Sequence, residues 1–197
     1  MKKEQVNELL YQALETEIGG QDVYKAAIKC AKKDELRDEW GKYLEETENH
    51  ERILLEVFEK MSLDPVAETS GRQIVRHHGE SLVKAMRMAL DAGDPVNAEL
   101  VAAECVVLAE TKDHANWELI GEIAKELSGS DQKALQYAYE QVEEEEDEHL
   151  YHTKGWSREL WLQSFGLPAV LPPPEEEKKV VTAIGAERAK NARGDML

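Results

Sequence analysis

Three long stretches of this chain set a carboxylate four residues before an imidazole: Glu46 with His50, Glu110 with His114, and Glu145 with His149. Residues at that spacing lie over one another on one face of a helix, so each pair can close on a single ion. Glu146, three residues before His149, competes with Glu145 for the same place. A further acid, Glu17, has no histidine beside it but shares a face with Ala13, Gly20 and Tyr24. One such pair alone is ordinary on a solvated helix. Here each falls on an apolar stripe: Tyr43, Ile53 and Val57 around the first, Ala103, Val107 and Trp117 around the second, Leu135, Ala138, Val142 and Trp156 around the third. Charge in an apolar seam is costly unless it is paired or bound to metal. Hard carboxylates completed by imidazoles suit iron or manganese, with zinc as a substitute, and four glutamates offset the charge of two divalent ions. The expected ligands are therefore Glu17, Glu46, His50, Glu110, His114, Glu145 or Glu146, and His149.

These residues need helices to carry them, and the apolar period is close to 3.6 along almost the whole chain. The pattern predicts an all-α protein. Its helices run from about Lys3 to Lys32, from Asp34 (as a cap) to Met61, from Ser70 to Ala92, from Pro95 to Leu127 and from Asp131 to Lys154. Ile74, Leu82, Met86 and Leu90 form the apolar stripe of the third helix, and Gly93-Asp94-Pro95 separates it from the fourth. Two long antiparallel pairs joined by a crossover that carries an extra helix make a four-helix bundle of ferritin-like arrangement over residues 1–156. Residues 157–197 form a short Pro-containing extension, with a last helical stretch after Glu175 whose Val180, Val181 and Ile184 pack on the bundle or on a partner.

Other residues read as structural. Glu15 lies about 160° from Glu17 around the helix and is expected in solvent. Cys30 and Cys105 lack a Cys-x-x-Cys spacing and read as buried thiols. His77 and His78 sit on the crossover helix, away from the bundle axis. His152 continues the seam past His149, where it can orient a ligand or cap the site. Tyr24 and Tyr43 share the metal-facing stripe. Gly19 and Gly20 each cost about 1 kcal/mol in a helix interior relative to Ala, so a close helix crossing or a local distortion is expected there.

A formal charge of −17 repels a phosphate backbone and excludes nucleic acid as a direct partner. No run reaches the roughly 18 to 20 apolar residues of a membrane helix, and no apolar signal core follows the Met-Lys-Lys-Glu start. A cytoplasmic protein is expected, without membrane contact, and a homodimer is the default assembly.

The second helix, with LEETENHERILLEVFE, and the entry to the fourth, with GDPVNAELVAAECVVLAE, resemble the ferritin-like superfamily near rubrerythrin, and especially a bacterial stress-protein branch of it. The resemblance spans about residues 5 to 155. It implies metal ligands at Glu17, Glu46, His50, Glu110, Glu145 or Glu146, and His149. The chain departs from the family's Glu-x-x-His in the second helix, where Thr47 holds the acid position. His114 follows Asp113, which stands where that branch tends to place a carboxylate, so either of the two can ligate. The expected function is that of a dinuclear non-haem iron or manganese protein handling ferrous ion, oxygen or peroxide, of peroxidase or ferroxidase type, in a stress response. Its partners are then metal ions and a small oxidant. The alternative is a metal-free helical stress or scaffold protein with a buried Glu/His network. Two isolated cysteines cannot build a rubredoxin-like electron-transfer module.

Overall fold

The computed structural model describes residues 2–167, so the expectations for the tail beyond 167, its last helix included, lie outside the described residues. Five helices and no strand occur among the described residues: α1 (Lys3–Cys30), α2 (Asp34–Lys60), α3 (Ser70–Asp91), α4 (Pro95–Glu126) and α5 (Gly129–Ser164). None is long and apolar enough to cross a membrane. The short turns 31–33 and 127–128 make α1 and α2, and α4 and α5, antiparallel neighbours. α1 packs on α2 and α4, and α5 packs on α4 and α2, so these four close a ring, while α3 lies across α1 and α4.

Local chemistry sets the helix ends. At α3, the Thr69 hydroxyl accepts from the Arg72 amide at 3.0 Å. At α4, Asp94 accepts from the amides of Val96 and Asn97, and Pro95 follows in the first turn, where its missing N–H costs nothing. Gly93 holds a left-handed φ of 77° and lets the chain reverse between α3 and α4. Asp34 does not cap α2: it is the first helical residue and pairs with Arg37. The buried Glu99 of α4 closes that turn instead, with Oε1 accepting from the amides of Lys32 and Lys33 at 2.8 Å each. This bond ties the end of α1 to the start of α4, so these two helices are antiparallel as well.

The core divides in two. Tyr24, Trp40, Tyr43, Met86, Cys105 and Trp156 belong to one cluster, while Leu10, Leu14, Phe58, Trp117, Ile120 and Leu135 belong to the other. Each large apolar side chain removed from water contributes about 1.5 to 3 kcal/mol. Cys30 and Cys105 are free and buried, as expected. α5 continues ten residues beyond Lys154, because Trp156 and Leu160 carry its apolar stripe into the first cluster. The first residues assigned to an extension are therefore helix.

α3 is held by charge as much as by apolar burial. Its Val75, Met86 and Ala89 are buried, whereas Ile74 and Leu90, expected on the inner stripe, are exposed. His77 and His78 are exposed. Glu15 is 4% exposed rather than solvated, because α3 covers it. Arg72 Nε meets its Oε2 at 2.6 Å and Arg76 Nε meets its Oε1 at 2.6 Å. The two guanidiniums outweigh the cost of burying the Glu15 carboxylate and hold its pKa below the ordinary value. The glycine pair of α1 marks close crossings and no distortion, since α1 is continuous. A β-carbon on Gly20 would lie 3.3 Å from Thr47 Cγ2 of α2, and one on Gly79 of α3 would lie 3.8 Å from Gly19 Cα.

Replacing Arg72 with alanine strands part of the Glu15 charge, so we expect a loss of about 3 kcal/mol in unfolding free energy, read by urea denaturation. Arg76→Ala, at the exposed end of the clamp, should cost less.

Candidate metal centre

Between the two apolar clusters the four ring helices contribute a layer of buried acids and imidazoles. Glu17 comes from α1, His50 from α2, Glu110 and Asp113 from α4, Glu146 and His149 from α5, and none is more than 4% exposed. Two overlapping groups result: Glu17, His50 and Glu146, and Glu110, Glu146 and His149, each with ligand-type atoms within 4.8 Å of one another. His50 Nδ1 lies 3.0 Å from Glu146 Oε1 and 3.8 Å from Glu17 Oε2. His149 Nδ1 lies 3.7 Å from Glu146 Oε1 and 3.7 Å from Glu110 Oε2. Glu146 belongs to both groups. The two imidazoles lie 5.6 Å apart, centroid to centroid.

Each ring is oriented from outside by a carboxylate. His50 Nε2 is 2.7 Å from Glu145 Oε2, and His149 Nε2 is 3.0 Å from Glu46 Oε2. An outer carboxylate accepts from the proton-bearing Nε2, which aims Nδ1 of each ring inward as the atom a cation would take. Trp117 Nε1 donates to Glu17 Oε1 at 2.8 Å and fixes that carboxylate too. The inward atoms are otherwise unsatisfied: Glu17 Oε2, His50 Nδ1, Glu110 Oε2, Asp113 Oδ1, Glu146 Oε2 and His149 Nδ1 are buried and make no hydrogen bond among the described residues. Such a group costs roughly 1 to 3 kcal/mol when left alone. Six around one small volume need protons or cations to balance them.

The electrostatics show that need. Burial, with the nearby charges of Asp113 and Glu146, pushes the Glu17 carboxyl well above its ordinary range. Burial and the charges of Glu146 and Glu110 do the same to Asp113. Glu110 is raised by burial even though His149 opposes the shift. For His149 burial works against the charged ring, but the carboxylates of Glu110 and Glu46 outweigh it and carry its pKa up to about 10. The Glu145 carboxyl is lowered by its bond to His50.

Of the residues expected from sequence, Glu17, His50, Glu110, Glu146 and His149 converge. Glu46, Glu145 and His114 stand elsewhere. Glu46 and Glu145 sit on the far nitrogens of the two histidines, and His114 turns outward to Asp147, at 2.7 Å. Asp113 takes the inward place beside His114. Thr47, three residues before His50, is buried against α1 at Gly20, and its hydroxyl donates to the Tyr43 carbonyl.

A second polar network adjoins the layer, and the apolar stripes do not reveal it. The Tyr43 hydroxyl lies 2.7 Å from Glu39 Oε1 and 2.8 Å from His152 Nδ1, and Trp156 Nε1 donates to Glu39 Oε2 at 2.7 Å. Its signal in the sequence is the four-residue spacing of Glu39 to Tyr43 and of His152 to Trp156. The Tyr43 ring lies 4.3 Å from the His149 ring, so this network buttresses the second group.

Comparison of the chain with protein-family models, with curated proteins and with solved structures found no match.

Raised carboxyl and imidazole pKa values both mean that the folded state binds protons more tightly than the unfolded chain. Their stabilisation is complete below the unfolded values, 4.5 for Glu17 and 6.5 for His149, and is lost as pH rises through the folded ones. Chelator-treated protein should therefore melt at progressively lower temperature from about pH 5 to about pH 10, and Glu17→Gln should flatten that slope. Thermal unfolding followed by circular dichroism across pH checks both.

Proposed function

We propose that this chain is a ferritin-like four-helix bundle that holds two iron or manganese ions and acts on ferrous ion, oxygen or peroxide, in the setting of a stress response. The observation that carries the reading is the convergence of five buried residues, each with an unsatisfied donor atom, on two groups that share Glu146, with Asp113 buried beside them and each histidine locked by an outer carboxylate. The donor set fits the ions. Glu17, Glu110, Asp113 and Glu146 supply four negative charges against two divalent cations, and oxygen with imidazole donors suits iron and manganese, with zinc as a substitute.

In this reading Glu146 would serve both ions, Glu17 and His50 would hold one and Glu110 and His149 the other, and Asp113 would add the carboxylate that Thr47 does not. Bound iron or manganese supplies Lewis acidity and access to a second oxidation state. The protein's own part is to aim the carboxylates at the ligand positions, where a bound cation would displace the protons that burial favours, to keep His50 and His149 in one orientation through Glu145 and Glu46, and to exclude bulk water with the two apolar clusters. Trp117 restrains Glu17, and Tyr43 packs beside His149.

A metal-free buried network is the second reading, favoured by the raised carboxyl pKa values, since protonated acids can satisfy one another. Metal content separates the two. Protein purified without chelator should carry about two equivalents of iron or manganese, and Glu146→Ala should lose both because it serves both positions. Glu46→Gln and Glu145→Gln should retain metal with about 10- to 100-fold weaker affinity, as expected of groups that act through a ligand. A protein that is empty and refuses both ions belongs to the second reading.

A further inference from the structure

On the outer side of the α1–α4 seam, under α3, lies a cavity of about 340 Å³. It is separate from the carboxylate layer but close to it: Thr16 and Ala109, which line it, are chain neighbours of Glu17 and Glu110. Val23, Val75, Leu82 and Leu108 give the cavity an apolar wall. Gly19 and Gly79 keep it open, because a β-carbon at Gly19 would touch nothing within 4 Å. Leu108, His78 and Ser81 are exposed and form its rim. The volume is at the small end of organic ligand sites, which run from roughly 300 to 1,000 Å³.

Two charged side chains line the cavity, Glu15 and Lys112. Glu15 is neutralised by Arg72 and Arg76, and Arg76 also meets Glu68 at 2.9 Å. Lys112 is different. It is half-buried, its ammonium donates to the neutral amide oxygen of Asn116, and it makes no ion pair among the described residues. Asn116 is held in turn by Thr16, whose hydroxyl accepts from Nδ2 at 3.0 Å. Lys112 is thus the one charge lining the cavity without an ion pair among the described residues, with Asp113 of the buried layer acting on it only beyond ion-pair distance. An apolar wall with a single unpaired ammonium matches a molecule with an apolar body and one anionic end, since charge-assisted hydrogen bonds are the strong ones.

We propose that this cavity is a binding site for a small amphipathic carboxylate of the medium-chain fatty acid type, its chain against Val23, Val75 and Leu82 and its carboxylate on Lys112 Nζ. The test uses the full chain in chelator, so its outcome does not depend on metal binding. Octanoate and octylamine, equal in apolar length and opposite in charge, are titrated by calorimetry. Octanoate should bind saturably at one per chain, octylamine at least about tenfold more weakly, and Lys112→Met should weaken octanoate by about tenfold with helix content unchanged. Failure of octanoate to saturate, octylamine binding as tightly as octanoate, or full octanoate affinity in Lys112→Met would each overturn the proposal. The comparison of the two ligands on the unaltered protein decides it even if the variant does not fold.

Discussion

Everything in the middle of this molecule follows from putting a sheet of negative charge through an apolar core. Glu17, Glu110 and Asp113 are buried beside Glu146 between two hydrophobic clusters, and burial together with the neighbouring carboxylates raises the affinity of these three for protons. Two imidazoles from α2 and α5 offset part of that charge, and their outer nitrogens are already committed to Glu145 and Glu46. What remains is a ring of unsatisfied polar atoms facing one another. A core of this kind is stable only when something positive occupies it, whether protons or metal ions.

The rest of the fold holds that layer in place. Large aromatic side chains pack on both sides of it, and three of them combine apolar bulk with a hydrogen bond to a carboxylate: Trp117 to the buried Glu17, and Tyr43 and Trp156 to the half-buried Glu39. Gly20 lets α1 approach Thr47 on α2 closely, which leaves the acidic work on that side to Glu17 and brings His50 toward Glu146. α3 is clamped across α1 by Arg72 and Arg76, and its cover creates both the burial of Glu15 and the cavity beside Lys112.

The five helices and their order were legible from periodicity and breakers, because long amphipathic helices with Gly-Asp-Pro and Ser-Gly-Ser turns leave few alternatives. The histidines His50 and His149, with Glu17 and Glu110, were legible as charge on apolar stripes. The choice between adjacent acids was not. Stripes advance by steps of three or four, so Tyr43 to His50 can pass through Glu46 or Thr47, and Val142 to His149 through Glu145 or Glu146, with equal regularity. The helix rotation that buries Thr47, Asp113 and Glu146 depends on neighbours on other helices, such as Gly20. Glu15 was misplaced for a related reason: its side of α1 meets α3, and a one-helix projection shows no partner there. The role of Glu99 is not legible in its own helix, because its partners are the amides of Lys32 and Lys33 in a distant turn.

The most direct test of the central claim is anomalous diffraction from crystals of the chelator-treated protein soaked in manganese(II). The account predicts two peaks about 3.5 to 4 Å apart, one between Glu17, His50 and Glu146 and the other between Glu110, Glu146 and His149. Manganese found only on the surface acids, with the buried layer empty, would contradict it.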